Sequence, residues 1–235
     1  MKKIIILLFI SVFFIVNSNF TFLEGKKIIL IDPGHGGFDG GAVSKRKTIE
    51  KEINLKIALK LKENLCKKCD RYLVVMTRED DISLNKEGTI KQKKRQDLDN
   101  RRKMIDETNC DLFISIHLNK FNSPNVKGSQ VYYADNENSK IFADILNENY
   151  GSLTGGRKRV PKVNEKFIIL KDIKEVPGVI FEGGFISNAE EDKILNTDEY
   201  QTKLAEVIEK SIDDYFNRSD YRQDDLNSTV DINEN

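Results

Sequence analysis

The stretch "DLFISIHLN" (residues 111–119) is apolar at nearly every position from Leu112 to Leu118, and it carries a histidine, His117, near its end. A strand covered on one face alternates apolar with polar side chains. A near-continuous apolar run of strand length belongs to a sheet covered on both faces. "KIILID" (27–32), "YLVVMT" (72–77), "QVYYA" (130–134), "FIIL" (167–170) and "GVIFE" (178–182) also read as strands. Helical periodicity fills the gaps between them. Residues 50–65 place Ile53, Ile57, Ala58, Leu61 and Leu65 on one stripe, and 87–107, 138–150 and 198–216 read as further helices, the last with Leu204, Val207, Ile208 and Ile212 turned to the core. Strands alternating with helices predict an α/β fold, a three-layer αβα domain whose mostly parallel central sheet has about six strands.

The chain has 235 residues, 39% of them hydrophobic, enough for one sizeable core. The catalytic or binding domain is expected over residues 26–216. Before it, "MKKIIILLFISVFFIVNSNF" opens on Lys2 and Lys3 and runs almost wholly apolar from Ile4 to Val16. That run suits the core of a signal peptide and falls short of the roughly 20 residues of a spanning helix. Residues 1–25 are therefore read as a signal peptide, or as an N-terminal anchor that contacts the membrane, and the domain as exported. The polar, acidic stretch 217–235 has little to bury and is expected to be disordered.

Thirty-eight basic residues balance 38 acidic ones, so nothing in the charge points to nucleic acid. The basic run "KQKKRQ" (91–96) is followed by "DLDNRR" on the same predicted helix and reads as a solvated face. Cys66, Cys69 and Cys110 are odd in number and lack the spacing of a disulfide framework or a four-cysteine zinc site. Cys66 and Cys69 are expected half-buried at a helix end, and Cys110 packed.

The chain has two histidines, and both sit where strands end. "KIILID" delivers the chain to the carboxyl edge of the sheet, where sites form in open α/β folds, and the loop "PGHGG" with His35 follows at once. Glycines let such a loop fold tightly. A phosphate cradle is the rival reading, but the loop has neither Gly-Lys-Ser/Thr nor the dinucleotide fingerprint. If the strands of His35 and His117 are neighbours, two imidazoles converge on one point. Imidazole pairs suit zinc, and a catalytic zinc takes three protein ligands and leaves one position open. Glu50, at the start of the 50–65 helix, is the best third candidate. It also reads as an ordinary first-turn glutamate favoured by the helix dipole, and the pattern leaves both readings open. In "GVIFEGGFISN" an apolar strand ends on Glu182; a carboxylate there must be paired, solvated in a cleft or functional, and a site that activates water needs such a base. The residues thus read as a zinc hydrolase with His35, Glu50 and His117 as metal ligands and Glu182 as base.

"DPGHGG", "EKEINL", "DLFISIHLN" and "FEGGFISN", in that order, resemble the zinc-dependent N-acetylmuramoyl-L-alanine amidases of the type-three family, over roughly residues 26–215. The resemblance implies one Zn²⁺ held at the His35, Glu50 and His117 positions, with Glu182 as the catalytic glutamate. The implied reaction is hydrolysis of the amide between N-acetylmuramic acid and the L-alanine of peptidoglycan stem peptides. A signal-like segment and a lone catalytic domain are similar to the CwlD-type sporulation amidases, which act on spore cortex ahead of muramic-δ-lactam formation and germination. For some relatives a regulatory partner protein controls metal loading or access. "MTR" (76–78) and "LDNR" (98–101) resemble further family elements, whose arginines are either structural or bind substrate carboxylates. Ile105-Asp106 and Gly183 depart from the family pattern, and Gly183 is expected to loosen the strand end that carries Glu182. Two other readings stay open: a zinc peptidase or deacetylase acting on another wall substrate, and a non-catalytic peptidoglycan-binding relative.

Overall fold

The computed structural model describes residues 25–85, 87–154, 159–164 and 166–230. The apolar leader, apart from Gly25, and the last five residues of the acidic tail lie outside them. Four of the apolar runs pair in parallel. Strand β1 (Lys27–Pro33) lies between β2 (Tyr72–Met76) and β3 (Leu112–Asn119), and β3 pairs on its other side with β6 (Gly178–Phe185). Strand β4 (Gln130–Tyr133) joins β6 antiparallel, and β5 (Lys162–Val163) closes the sheet, giving the order β2-β1-β3-β6-β4-β5.

The continuous apolar runs have the expected cause. Ile29 and Ile31 face one side of the sheet and pack with Ile53, Ile57, Leu61, Leu204, Ile208 and Ile212; Leu30 faces the other, with Ile105, Phe113 and Ile180. Helices α1 (Glu50–Cys66), α3 (Glu137–Thr154) and α5 (Asp198–Val230) cover the first side, and α2 (Ile90–Thr108) the second. The three-layer αβα fold with a mostly parallel six-stranded sheet is the one expected from the sequence.

Three details differ. "FIIL" is not a strand: Ile168–Leu170 form a 3-10 turn that buries Ile169 and Leu170 against the second core face. A four-residue apolar run has no periodicity to separate a strand from a buried turn. The sixth strand is the short Lys162–Val163 segment instead. A brief helix, α4 (Ala189–Leu195), follows β6, with the Asn188 side chain accepting from the backbone N–H of Glu190 and Glu191. Finally, α5 runs on to Val230, into the stretch expected to be without structure. Once a helix is nucleated on packed turns, each further residue adds one hydrogen bond for one residue fixed.

Helix α2 is unusual in what it buries. Its start is capped by Thr89, whose hydroxyl accepts from Gln92 N–H, and it ends on Asn109 in the left-handed conformation. Its buried residues are Asp97, Arg101 and Ile105, one turn apart, so the stripe aimed at the sheet is mostly charged. Cys66 and Cys69 are exposed free thiols rather than half-buried ones, and Cys110 is buried. Among the described residues no helix is long and apolar enough to cross a membrane.

Candidate metal centre

The loop after β1 turns sharply. Gly34 N–H still donates to Ile116 C=O at 3.0 Å, continuing the ladder to β3. His35 then takes φ +63°, followed by Gly36 at +134° and Gly37 at +55°. A non-glycine residue in the left-handed region costs conformational energy and persists only where its surroundings hold it. Two buried arginines do so. Arg78 donates to Pro33 C=O (2.9 Å) and Gly34 C=O (3.0 Å), and Arg101 to Pro33 C=O (2.9 Å) and His35 C=O (2.7 Å). Of the two readings of these arginines, the structure favours the structural one: their donors are spent on loop carbonyls and buried carboxylates.

Behind the loop lies Asp32, fully buried at the end of β1. It accepts from Thr77 Oγ1 (2.6 Å), Ser115 Oγ (2.5 Å) and Arg101 Nη1 (2.5 Å). Burial opposes its charge, yet Arg101 and the two hydroxyls outweigh it and hold the carboxyl below its usual range. Asp97 on α2 takes Arg101 Nε at 2.7 Å, so one guanidinium links the helix, the strand end and the loop.

The three side chains expected to hold a metal meet here: His35, Glu50 and His117 place one ligand atom each within 4.8 Å of one another. Glu50 Oε1 lies 3.3 Å from His35 Nε2 and 3.0 Å from His117 Nδ1, and the two rings are edge to face with centroids 4.8 Å apart. As first residue of α1, Glu50 points back at the sheet, where its carboxylate accepts from Ala42 N–H (2.7 Å) and Leu118 N–H (3.1 Å). Buried Asn54, one turn on, donates to Glu50 Oε1 and to Gly34 C=O. Burial opposes charge on Glu50, but His117 and His35 outweigh it and hold its pKa well below the ordinary value. His35 responds the other way: despite burial, Asp39 and Glu50 raise its pKa to about 9. Two imidazoles and a carboxylate on one point, the carboxylate ionised, are the donor set that suits zinc.

Glu182 sits on β6 directly across from His117, so the two side chains emerge on the same face of the sheet. Immediately beyond, the register slips: Asn119 pairs with Phe185, leaving an extra residue in β6 at Gly183–Gly184. The looser strand end expected at Gly183 is thus a β-bulge, which turns the strand just past Glu182. Glu182 Oε2 is buried without a hydrogen-bond partner. Burial pushes its pKa up to about 7. The carboxyl faces a cavity of about 230 Å³ shared with His35 and His117 and walled by Leu98, Phe167, Ile168, Ile169 and Ile180. An unpaired carboxyl titrating near neutrality beside a cluster of metal-type ligands is equipped to take and return a proton.

Set against known proteins, residues 29–214 match the sequence model of the N-acetylmuramoyl-L-alanine amidase family. The chain belongs to that family. The amidase is 39% identical over 201 residues to the germination-specific N-acetylmuramoyl-L-alanine amidase of Bacillus subtilis, with 83% of this chain and 81% of the relative covered. Among solved structures it is similar to the CwlD amidase of Clostridioides difficile, determined in complex with the GerS lipoprotein, at TM-score 0.78 and 39% identity, covering 82% of this chain and 99% of that one. It is also similar to the catalytic domain of the CwlV amidase from Bacillus (Paenibacillus) polymyxa, at TM-score 0.70 and 32% identity over 81% and 98% of the two chains.

Sequence reasoning missed the groups that hold the candidate site in place. Asp32 ends the apolar run "KIILID", the signal that picked out Glu182, and was passed over; Asp97, Asn54 and Asp39 carry no distinctive local pattern of their own. Only the buried one-turn spacing of Asp97 and Arg101 on an otherwise charged helix is a signal, and it becomes readable once the buried face of α2 is known.

Proposed function

We propose that this peptidoglycan amidase binds one Zn²⁺ through His35, Glu50 and His117 and cleaves the amide joining N-acetylmuramic acid to L-alanine, with Glu182 as general base and acid. The carrying observation is the convergence of those three side chains beside the unpartnered carboxyl of Glu182. When bound, a zinc ion supplies Lewis acidity, which polarises a carbonyl, lowers the pKa of water from 15.7 to about 7 and favours the ionised form of a nearby carboxylate. Glu182 then takes one proton from the attacking water. As the carbon–nitrogen bond breaks, the same carboxyl delivers that proton to the departing alanine amine.

Spore cortex is the substrate we infer, ahead of muramic-δ-lactam formation and germination; the support is 39% identity to a germination-specific relative. Export across the cytoplasmic membrane agrees with the leader read in residues 1–25, because peptidoglycan lies outside that membrane. By analogy with the CwlD amidase solved with the GerS lipoprotein, a lipoprotein partner is part of this reading. The test is digestion of purified cortex and vegetative peptidoglycan by residues 26–235 with zinc, read by mass spectrometry. Free stem peptides beginning at L-alanine, released preferentially from cortex, are expected. Deacetylated glycan or peptides cut internally would show that the same zinc chemistry serves another bond.

Two further results are expected of the metal site. Zinc needs a neutral imidazole, and His35 holds its proton up to about pH 9 in the metal-free protein. Zinc affinity should therefore rise about tenfold per pH unit from pH 7 towards 9, with about one proton released per zinc. Calorimetry in buffers of different ionisation enthalpy measures that release, and pH-independent binding contradicts it. Gly34 is packed so closely on His117 that a methyl group there overlaps the imidazole. Gly34→Ala should fold, since its φ is not in the left-handed region, yet bind zinc about tenfold more weakly or worse. Chelator competition gives the number.

A further inference from the structure

Asp39 stands just outside the metal cluster. Its Oδ2 lies 3.1 Å from His35 Nδ1, while its Oδ1 accepts from Lys94 Nζ at 2.8 Å and from Gly41 N–H at 3.3 Å. The two nitrogens of His35 thus face two different carboxylates, with Nε2 turned to Glu50 at 3.3 Å. A carboxylate accepts but cannot donate, so the Asp39 contact keeps a proton on Nδ1, and Nε2, which faces Glu50, is then the nitrogen that would give up its proton and ligate when a metal binds. The other tautomer would put a hydrogen where a metal has to sit. Gly41 tightens the arrangement: it takes φ +69°, and a side chain there would meet the His35 ring and Glu50 Oε2 at 2.6 Å.

Lys94 belongs to "KQKKRQ" on α2, the run that reads from sequence as a solvated face. It reaches across to Asp39 and borders the same cavity as Glu182. Its neighbour Lys93 lies over the Phe38 ring instead, 5.8 Å from the centroid. The helix that buries Arg101 against the carbonyl of His35 therefore also reaches, through the half-exposed Lys94, the carboxylate that faces the His35 side chain.

We propose that Asp39 is the positioning residue of the metal site, holding His35 in the Nδ1–H tautomer with Nε2 inward, and that Lys94 holds Asp39 in place. The inference rests on the zinc reading above. It predicts that Asp39→Ala lowers zinc affinity about 10- to 100-fold while keeping one zinc per chain. Lys94→Met should weaken zinc binding to a smaller extent. Simple charge repulsion predicts the opposite sign, because removing a cation near a cation site should tighten binding. Lys93→Met is the control and should change nothing.

The experiment is chelator competition on the four proteins, joined to proton and nitrogen NMR of the zinc-loaded forms. With two histidines in the chain, each ring is resolved. The unaltered protein should show a far-downfield, slowly exchanging Nδ1–H for His35, lost in Asp39→Ala and exchanging faster in Lys94→Met. A general loosening of the loop would lower affinity in Asp39→Ala but would not produce that resonance pattern in Lys94→Met. An unchanged resonance or affinity within twofold in Asp39→Ala overturns the role of Asp39, and tighter binding in Lys94→Met overturns that of Lys94. Failure of the unaltered protein to bind zinc would instead overturn the metal reading.

Discussion

Glu182→Gln should leave zinc binding at one per chain and lower the rate of amide cleavage about a thousandfold, within the range of 10²–10⁴ that a positioned general base contributes. The same substitution should stabilise the metal-free protein above neutrality. The folded pKa of Glu182 is about 7 against an ordinary 4.5, so the folded state holds this proton more tightly than the unfolded chain. The contribution of this group to stability is therefore complete below pH 4.5 and is lost as pH rises through 7. Above that, the metal-free protein carries a desolvated carboxylate, at a cost of about 3 kcal/mol. Glutamine carries no charge at any pH. Denaturation of both metal-free proteins at pH 5 and pH 8 should show Glu182→Gln gaining on the parent between the two, towards about 3 kcal/mol. A stability difference that does not move with pH would mean that the carboxyl is better solvated than its unpartnered Oε2 implies.

Arg101→Met should be the most destabilising single change near the site. Arg101 is 1% exposed and stands between Asp32 and Asp97 while holding the carbonyls of Pro33 and His35. Removing one partner of a buried ion pair costs about 3–5 kcal/mol, because the other charge stays buried. For a chain of this size that is a fall in Tm of roughly 6–20 °C. Lysine should rescue little: one ammonium cannot match a planar fork that serves two carboxylates and two carbonyls. Adding Asp32→Asn to Arg101→Met should recover part of the loss, since the stranded charge goes with it. Thermal melts of the three variants decide this, and a loss below about 1 kcal/mol for Arg101→Met would place the triad closer to water than its burial indicates.

Of the four candidate site residues, three break a local pattern, and Glu50 was picked out by its position. His35 interrupts glycines, His117 and Glu182 end apolar strands, and Glu50 opens an amphipathic helix at the edge where the strands deliver the chain. Asp39, Asp97 and Lys94 break no pattern. An aspartate in a glycine loop and charged residues on a charged helix are what a solvated surface also looks like. Whether they face water or the site depends on how α2 docks, and α2 has too few apolar residues for its sequence to declare a buried face. "FIIL" failed for the complementary reason: four buried apolar residues satisfy a strand and a turn equally.

From the sequence alone came the fold class, the edge of the sheet where the candidate site lies, and the residue types collected there, all of which follow from the period of hydrophobicity and the position of strand ends. Tertiary structure decided which strands are neighbours. The order β2-β1-β3-β6 sets β3 between the strand that leads to His35 and the strand that carries Glu182, so that one histidine belongs to both halves of the site. Pairing between strands far apart in the chain is chosen by the global packing of two core faces, and it leaves no period in the sequence of either strand. The same docking carried Arg101 and Lys94 of α2 to the glycine loop, one to hold its backbone and the other to reach its aspartate.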